Sequence, residues 1–131
     1  SYVSLEYAMM HYGIIPETVY SITSVTTRTS REFIINNIVY SYHRIKKKAF
    51  TGYLNNDFDG QVAFLAEPEK ALVDYLYFVD LGRKGLNDRL DLNAIKKEKL
   101  IAYAKLFKRK SLLLLIEKVY ANKRKHREII Y

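Results

Sequence analysis

The apolar and polar positions divide the chain into a short amphipathic start, a β-rich stretch and a helical second half. Leu5, Ala8, Met9 and Tyr12 recur at i, i+3, i+4 and i+7, which predicts a short helix over residues 4–12. Ser4 is placed to cap its first turn, and Gly13 to end it in a left-handed conformation. Pro16 then resets the backbone. Residues 21–27 are rich in β-branched types and poor in helix formers, so a strand is expected there. Strands over 32–35 and 38–45 flank Asn36 and Asn37, which both tolerate positive φ and suit a tight hairpin. That register sets Ile35 opposite Ile38 and Phe33 opposite Tyr40, giving an apolar face that continues to Tyr42. Residues 51–54 and 61–66 form a second candidate pair, with Asn55, Asn56, Asp57 and Gly60 marking the loop between them.

The second half reads as helices. Pro68 suits a first helical position, where a missing N–H costs nothing, and Glu69 follows where its charge opposes the positive end of the helix dipole. Ala71, Leu72, Tyr75, Leu76 and Val79 form one apolar stripe, and Leu81-Gly82 ends the helix. A polar connection over 83–91 leads to helices over about 94–107 and 111–120, the last with Ser111 as a possible cap. From Lys123 onward a basic tail is expected to fray. The expected fold class is α+β. It comprises a small antiparallel sheet of four to five strands, a short N-terminal helix and a C-terminal helical half, in one domain over 1–131.

Composition narrows the class. With 131 residues and 49% hydrophobic content, the chain can bury a core without staples. It has no cysteine, which excludes disulfides and thiolate metal sites and fits a reducing cytoplasm. The longest aliphatic run, Leu112 to Ile116, is too short to cross a bilayer, and Glu6 and His11 interrupt the first apolar stretch, so neither a membrane span nor a signal peptide is expected. Ser1 opens the chain without methionine and leads straight into structured sequence, so native residues are expected upstream.

Charge is unevenly spread. The net charge is +8, yet residues 1–66 carry six Lys/Arg against five Asp/Glu, while residues 67–131 carry sixteen against nine. Residues 105–131 alone hold nine basic residues against Glu117 and Glu128. Lys108, Arg109, Lys110, Lys123, Arg124, Lys125 and Arg127 are therefore candidates for polyanion or partner contact, together with the separate run Lys46-Lys47-Lys48. A solvated basic face is the competing reading.

Catalytic signals are weak. His11, His43 and His126 fall in three different elements and share no metal-ligand spacing. Asp57, Asp59, Glu67, Glu69 and Lys70 invite comparison with a metal-dependent nuclease. However, Glu69 and Lys70 are adjacent on a helix and point apart, whereas such a site wants an acid and a lysine one residue apart on a strand. No glycine-rich phosphate loop is present. No enzyme activity, metal or cofactor is expected. Of the twelve tyrosines, Tyr40, Tyr42 and Tyr75 read as structural, while Tyr53, Tyr120 and Tyr131 are less clearly internal.

Three stretches in order carry a resemblance. The first joins Tyr2-Val3-Ser4-Leu5-Glu6-Tyr7-Ala8 to His11-Tyr12-Gly13-Ile14-Ile15-Pro16-Glu17. The second joins Ile22-Thr23-Ser24-Val25-Thr26-Thr27 to Tyr42-His43-Arg44-Ile45. The third runs Glu67-Pro68-Glu69-Lys70-Ala71-Leu72-Val73-Asp74-Tyr75-Leu76-Tyr77. Together they resemble the C-terminal domain of AbiEi-type antitoxins, the regulator halves of abortive-infection toxin–antitoxin pairs, from Tyr2 to about Val79. Leu100 to Phe107 matches in character. The resemblance implies a domain that follows a DNA-binding winged helix, neutralises a nucleotidyltransferase-like toxin and assists DNA binding through positive surface charge. The winged helix is missing from this sequence. No catalytic residue carries over, and Ser4, Pro68, Glu69, Lys70, Ala71, Leu72 and Asp74 are expected to serve the fold. The alternative function is a stand-alone basic nucleic-acid-binding module with no toxin partner.

Overall fold

A computed structural model gives the fold. We describe residues 1–58 and 60–130, and the side chains of these except Phe58 and residues 126–130. The elements run β1 (Tyr2–Val3), α1 (Leu5–His11), β2 (Ile22–Thr26), β3 (Arg31–Ile35), β4 (Ile38–Arg44), a 3₁₀ turn (Lys47–Ala49), β5 (Tyr53–Phe58), β6 (Gln61–Ala66), α2 (Pro68–Asp80), α3 (Lys97–Lys105) and α4 (Lys110–Ile130).

The class is α+β, but the sheet is mixed and has six strands in the order β3-β4-β2-β1-β6-β5. β1 pairs antiparallel with β2 and parallel with β6, and β2 pairs parallel with β4. The expected antiparallel sheet of four to five strands is thus corrected. β1 is only two residues long, and its partners lie about twenty and sixty residues further on, so no local pattern marks it.

The β3–β4 hairpin has the expected register, with Ile35 opposite Ile38 and Phe33 opposite Tyr40. Asn36 and Asn37 take φ of 52° and 65°, as a two-residue turn of this hand requires. The second hairpin differs from expectation. Asn55, Asn56 and Asp57 belong to β5 and pair with Phe64, Ala63 and Val62. The Asp57 carboxylate accepts the Gly60 N–H at 2.7 Å, and Gly60 has φ +85°, so the reversal needs little chain. β5 is an edge strand, where polar residues are tolerated on the open side.

α1 ends as expected. Gly13 takes φ +72°, its N–H bonds to Met10 O at 3.0 Å, and the Ile14 N–H bonds to Met9 O at 2.8 Å. This is the paired closure that a left-handed residue permits. At the other end Ser4 makes no side-chain cap; its hydroxyl points into the core. Ser111 is likewise no cap: α4 begins at Lys110, and the Ser111 hydroxyl donates to Asp80 Oδ2 at 2.7 Å. α3 is shorter than expected. α4 is longer, carrying helical backbone through the segment from Lys123 that was expected to fray.

α2 is the centre of the core. It starts with Pro68 at its first position and packs against α1, α3, α4 and β6. The expected stripe understates its burial, because residues 69–78 are all buried, the acid and lysine positions included. Strand alternation sorts the sheet into two faces. Tyr2, Thr23, Val25 and His43 face the helices: the Tyr2 hydroxyl reaches Asp74, the Thr23 hydroxyl donates to Ser4 O at 2.6 Å, and the His43 ring meets Phe78 at 5.6 Å. The opposite face carries Ser24, Phe33, Tyr40 and Tyr42.

Candidate functional site

The residues of the first and third motifs meet inside the protein. Lys70 and Asp74 are one helical turn apart on α2, and both side chains have no solvent exposure. The Lys70 ammonium pairs with Asp74 Oδ1 and donates to the Tyr2 hydroxyl at 2.8 Å. Asp74 Oδ2 accepts from Tyr2 at 2.9 Å and from Ser4 at 2.8 Å. Three donors converging on one carboxyl group fit an ionised Asp74. Burial pushes the Asp74 carboxyl up from its ordinary value, opposed by Lys70 and the two hydroxyls. Burial pushes the Lys70 ammonium down, opposed by Asp74, and raises the Tyr2 phenol, reinforced by the Asp74 charge.

Aromatic rings close the cluster. The Lys70 ammonium lies 5.1 Å from the Phe107 ring centre, and Tyr2 stacks on Tyr53 at 4.7 Å. Gly52 covers the lysine stem, where a Cβ would come within 2.9 Å of Lys70 Cγ, and its φ is +80°. The cluster is thus sealed from solvent, with Ser4, Lys70 and Asp74 fully buried. Ala71 and Leu72 have no exposure either. Sequence reasoning placed Ala71 and Leu72 on the core stripe and expected Ser4, Lys70 and Asp74 to serve the fold, without seeing that the lysine and aspartate are buried as a pair. The available signal was the apolar run on both sides of Asp74, which leaves α2 no polar face.

The remaining motif acids also have structural partners. Glu69 Oε2 accepts the Lys96 N–H at 3.1 Å, holding the start of α3. Glu67 accepts from Lys99 and from the Tyr103 hydroxyl. Burial opposes the ionised form of Glu67, but these two donors outweigh it and hold the carboxyl below its ordinary value. Asp57 closes its own turn; Asp59, the other nuclease candidate, lies outside the described residues. Among the described residues, no three His, Asp or Glu side chains gather as metal ligands.

The candidate basic residues form two groups. Lys46 donates from Nζ to Phe107 O at 2.6 Å, which brings the Lys46-Lys47-Lys48 run beside Lys108 and Lys110. These five lysines are exposed. Lys108 holds φ of 52° between α3 and α4, a left-handed conformation unusual for a lysine. Arg109 does not join them; its Nε donates to Asp80 Oδ2 at 2.7 Å. Lys123, Arg124 and Lys125 lie thirteen to fifteen residues along α4 from Lys110, about 20 Å away at 1.5 Å per residue. Lys123 and Arg124 line a groove together with Asp88, Arg89 and Asp91. The side chain of Arg127 lies outside the described residues. Lys108 and Lys110 therefore lie with the separate run 46–48, whereas Lys123 to Lys125 lie further along α4.

No family model matches the chain, and no curated protein or solved structure matches it significantly. Among the described residues, no helix is long and apolar enough to cross a membrane.

Proposed function

We propose that this chain is the C-terminal domain of an antitoxin-type transcriptional regulator. In this reading it neutralises a nucleotidyltransferase-like toxin by protein contact and adds weak, sequence-independent DNA contacts, without catalysis of its own. The toxin-directed part rests on the ordered resemblance to AbiEi-type domains. The DNA-directed part rests on the convergence of Lys46, Lys47, Lys48, Lys108 and Lys110, secured by the Lys46–Phe107 bond. Exposed lysines suit phosphates as point charges, and phosphate contacts position a protein without reading bases.

Two measurements test the reading. Co-expression with the product of an adjacent toxin-like gene should restore growth, and the two proteins should co-purify; an adjacent toxin that stays lethal counts against neutralisation. Duplex DNA titrations should give dissociation constants on the order of 10⁻⁴–10⁻⁶ M at physiological salt, and binding should weaken steeply as salt rises. Reversing Lys47, Lys48 and Lys110 to Glu should weaken operator and scrambled duplexes alike. Binding untouched by those reversals would remove the lysine surface from the reading.

A further inference from the structure

We propose that the open face of the sheet is a stacking platform for single-stranded RNA. Strand pairing puts Phe33, Tyr40 and Tyr42 on one face together with Arg31 and Arg44, on the side away from α2. Phe33 stacks against both tyrosines, with ring centres 6.1 Å and 5.5 Å apart and planes within 26°. All three rings are half-buried, so each keeps part of its surface open to solvent. The Arg31 guanidinium lies 5.5 Å from the Phe33 ring centre. Arg28, Arg31, Phe33 and Tyr42 line a hollow of about 460 Å³ at the end of this face.

Charge on this face has one sign. Arg28, Arg31 and Arg44 are exposed, and none takes part in a salt bridge among the described residues. Glu32, the one acid in strands β2 to β4, points to the other face opposite Ser41. Aromatic rings flanked by unpaired arginines match a ligand that alternates flat bases with phosphates.

Spacing and hydroxyls narrow the ligand. Tyr40 and Tyr42 are two residues apart on β4, about 6.8 Å along the strand. Stacked bases in a duplex rise about 3.4 Å per strand. Neighbouring bases on successive rings must therefore be unstacked, which selects a single strand. Thr27 and Thr29 are exposed on the rim of the hollow and free to meet a ribose 2′-hydroxyl, whereas Thr26 and Ser30 already accept backbone N–H groups at 3.1 Å and 2.9 Å.

The inference stands apart from the antitoxin reading and uses different residues. Its probe is a labelled mixed-sequence RNA of about twelve nucleotides, within the roughly 4–16 that one stacking fold covers. The chain has no tryptophan, so Phe33→Trp provides a single fluorophore in the platform. Its emission should be quenched as the RNA binds. Phe33→Ala and Tyr42→Ala should each weaken binding by about 5- to 100-fold, with far-UV melting showing that each variant is folded. Arg31→Ala and Arg44→Ala change exposed side chains and should weaken binding and flatten its salt dependence. Lys47→Glu/Lys48→Glu/Lys110→Glu should leave the fluorescence change in place. DNA of the same sequence should bind more weakly, and Thr27→Val/Thr29→Val should erase that difference. Unquenched Phe33→Trp emission, or unaltered binding in both alanine variants, would overturn the platform. Equal binding of DNA and RNA by the parent would overturn the assignment to RNA.

Discussion

Replacing Asp74 by Asn tests whether the buried cluster is the strongest polar constraint in the fold. Asp74 accepts from Lys70, Tyr2 and Ser4, and neither side chain of the ion pair is exposed to solvent. An amide keeps one acceptor oxygen but leaves the Lys70 ammonium without a counter-charge. Breaking a fully buried pair costs about 3–5 kcal/mol. At a urea slope of about 2 kcal/mol per molar, the unfolding midpoint should fall by about 2 M. The double variant Lys70→Met/Asp74→Leu removes both charges yet strands the Tyr2 and Ser4 hydroxyls, at about 1–3 kcal/mol for each unsatisfied group. Adding Tyr2→Phe and Ser4→Ala removes every polar atom of the cluster and should return stability to within about 2 kcal/mol of the parent, or above it. The expected order thus places the quadruple variant above both Asp74→Asn and the double variant. Equilibrium urea unfolding followed by far-UV circular dichroism reads it directly. An Asp74→Asn variant within about 1 kcal/mol of the parent, or a double variant as stable as the quadruple, would refute the reasoning.

Gly52→Ala should fail to fold or lose several degrees in Tm, because its Cβ would meet Lys70 within 2.9 Å at a φ of +80°; a Tm equal to the parent's would show that this cover is loose. Leu72→Ala or Leu76→Ala should each cost about 2–5 kcal/mol, since both are fully buried on α2, and an unchanged melting curve would remove that helix from the centre of the core. Acidification should destabilise the fold through His43, whose ring is held below its ordinary pKa by burial and then by the Lys84 charge. A histidine depressed on folding supports the fold above its unfolded value near 6.5 and loses that support as pH drops through it, so His43→Asn should flatten the slope of Tm between about pH 7.5 and 5.5.

What was legible in the sequence was mostly local. Asn36-Asn37 fixed a hairpin because two adjacent positive-φ residues leave few other conformations. Gly13, Gly82 and Pro68 marked helix ends for similar one-residue reasons. Features built from distant partners were hidden. The two residues of β1 form a strand only because β2 and β6 come to lie beside them. Asn55 to Asp57 read as a loop by composition, yet edge position lets them pair. Lys70 and Asp74 carried the spacing of an ordinary surface pair, and only the apolar neighbours on every side of α2 distinguished them. The basic residues were identified by type, but their division depends on two tertiary facts. One is the Lys46–Phe107 bond and the other is the length of α4. Tyr40 and Tyr42 read as an apolar hairpin face, and the sheet leaves that face half open.

The two-residue β1 also bears on how the chain assembles during synthesis. It precedes every other described element, yet it sits between β2 and β6, and its parallel pairing of Val3 with Leu65 cannot form until 62 further residues exist. The three-stranded unit of β2, β3 and β4 and the β5–β6 hairpin must therefore wait as separate pieces, with the seam between them closed last. Lys70 and Asp74 follow soon after β6 and lock onto Tyr2 and Ser4. Until residues up to about Asp74 have left the ribosomal tunnel, the edges of β1 and β6 that later pair should thus stay open, the stage at which this protein most needs protection from pairing with other chains.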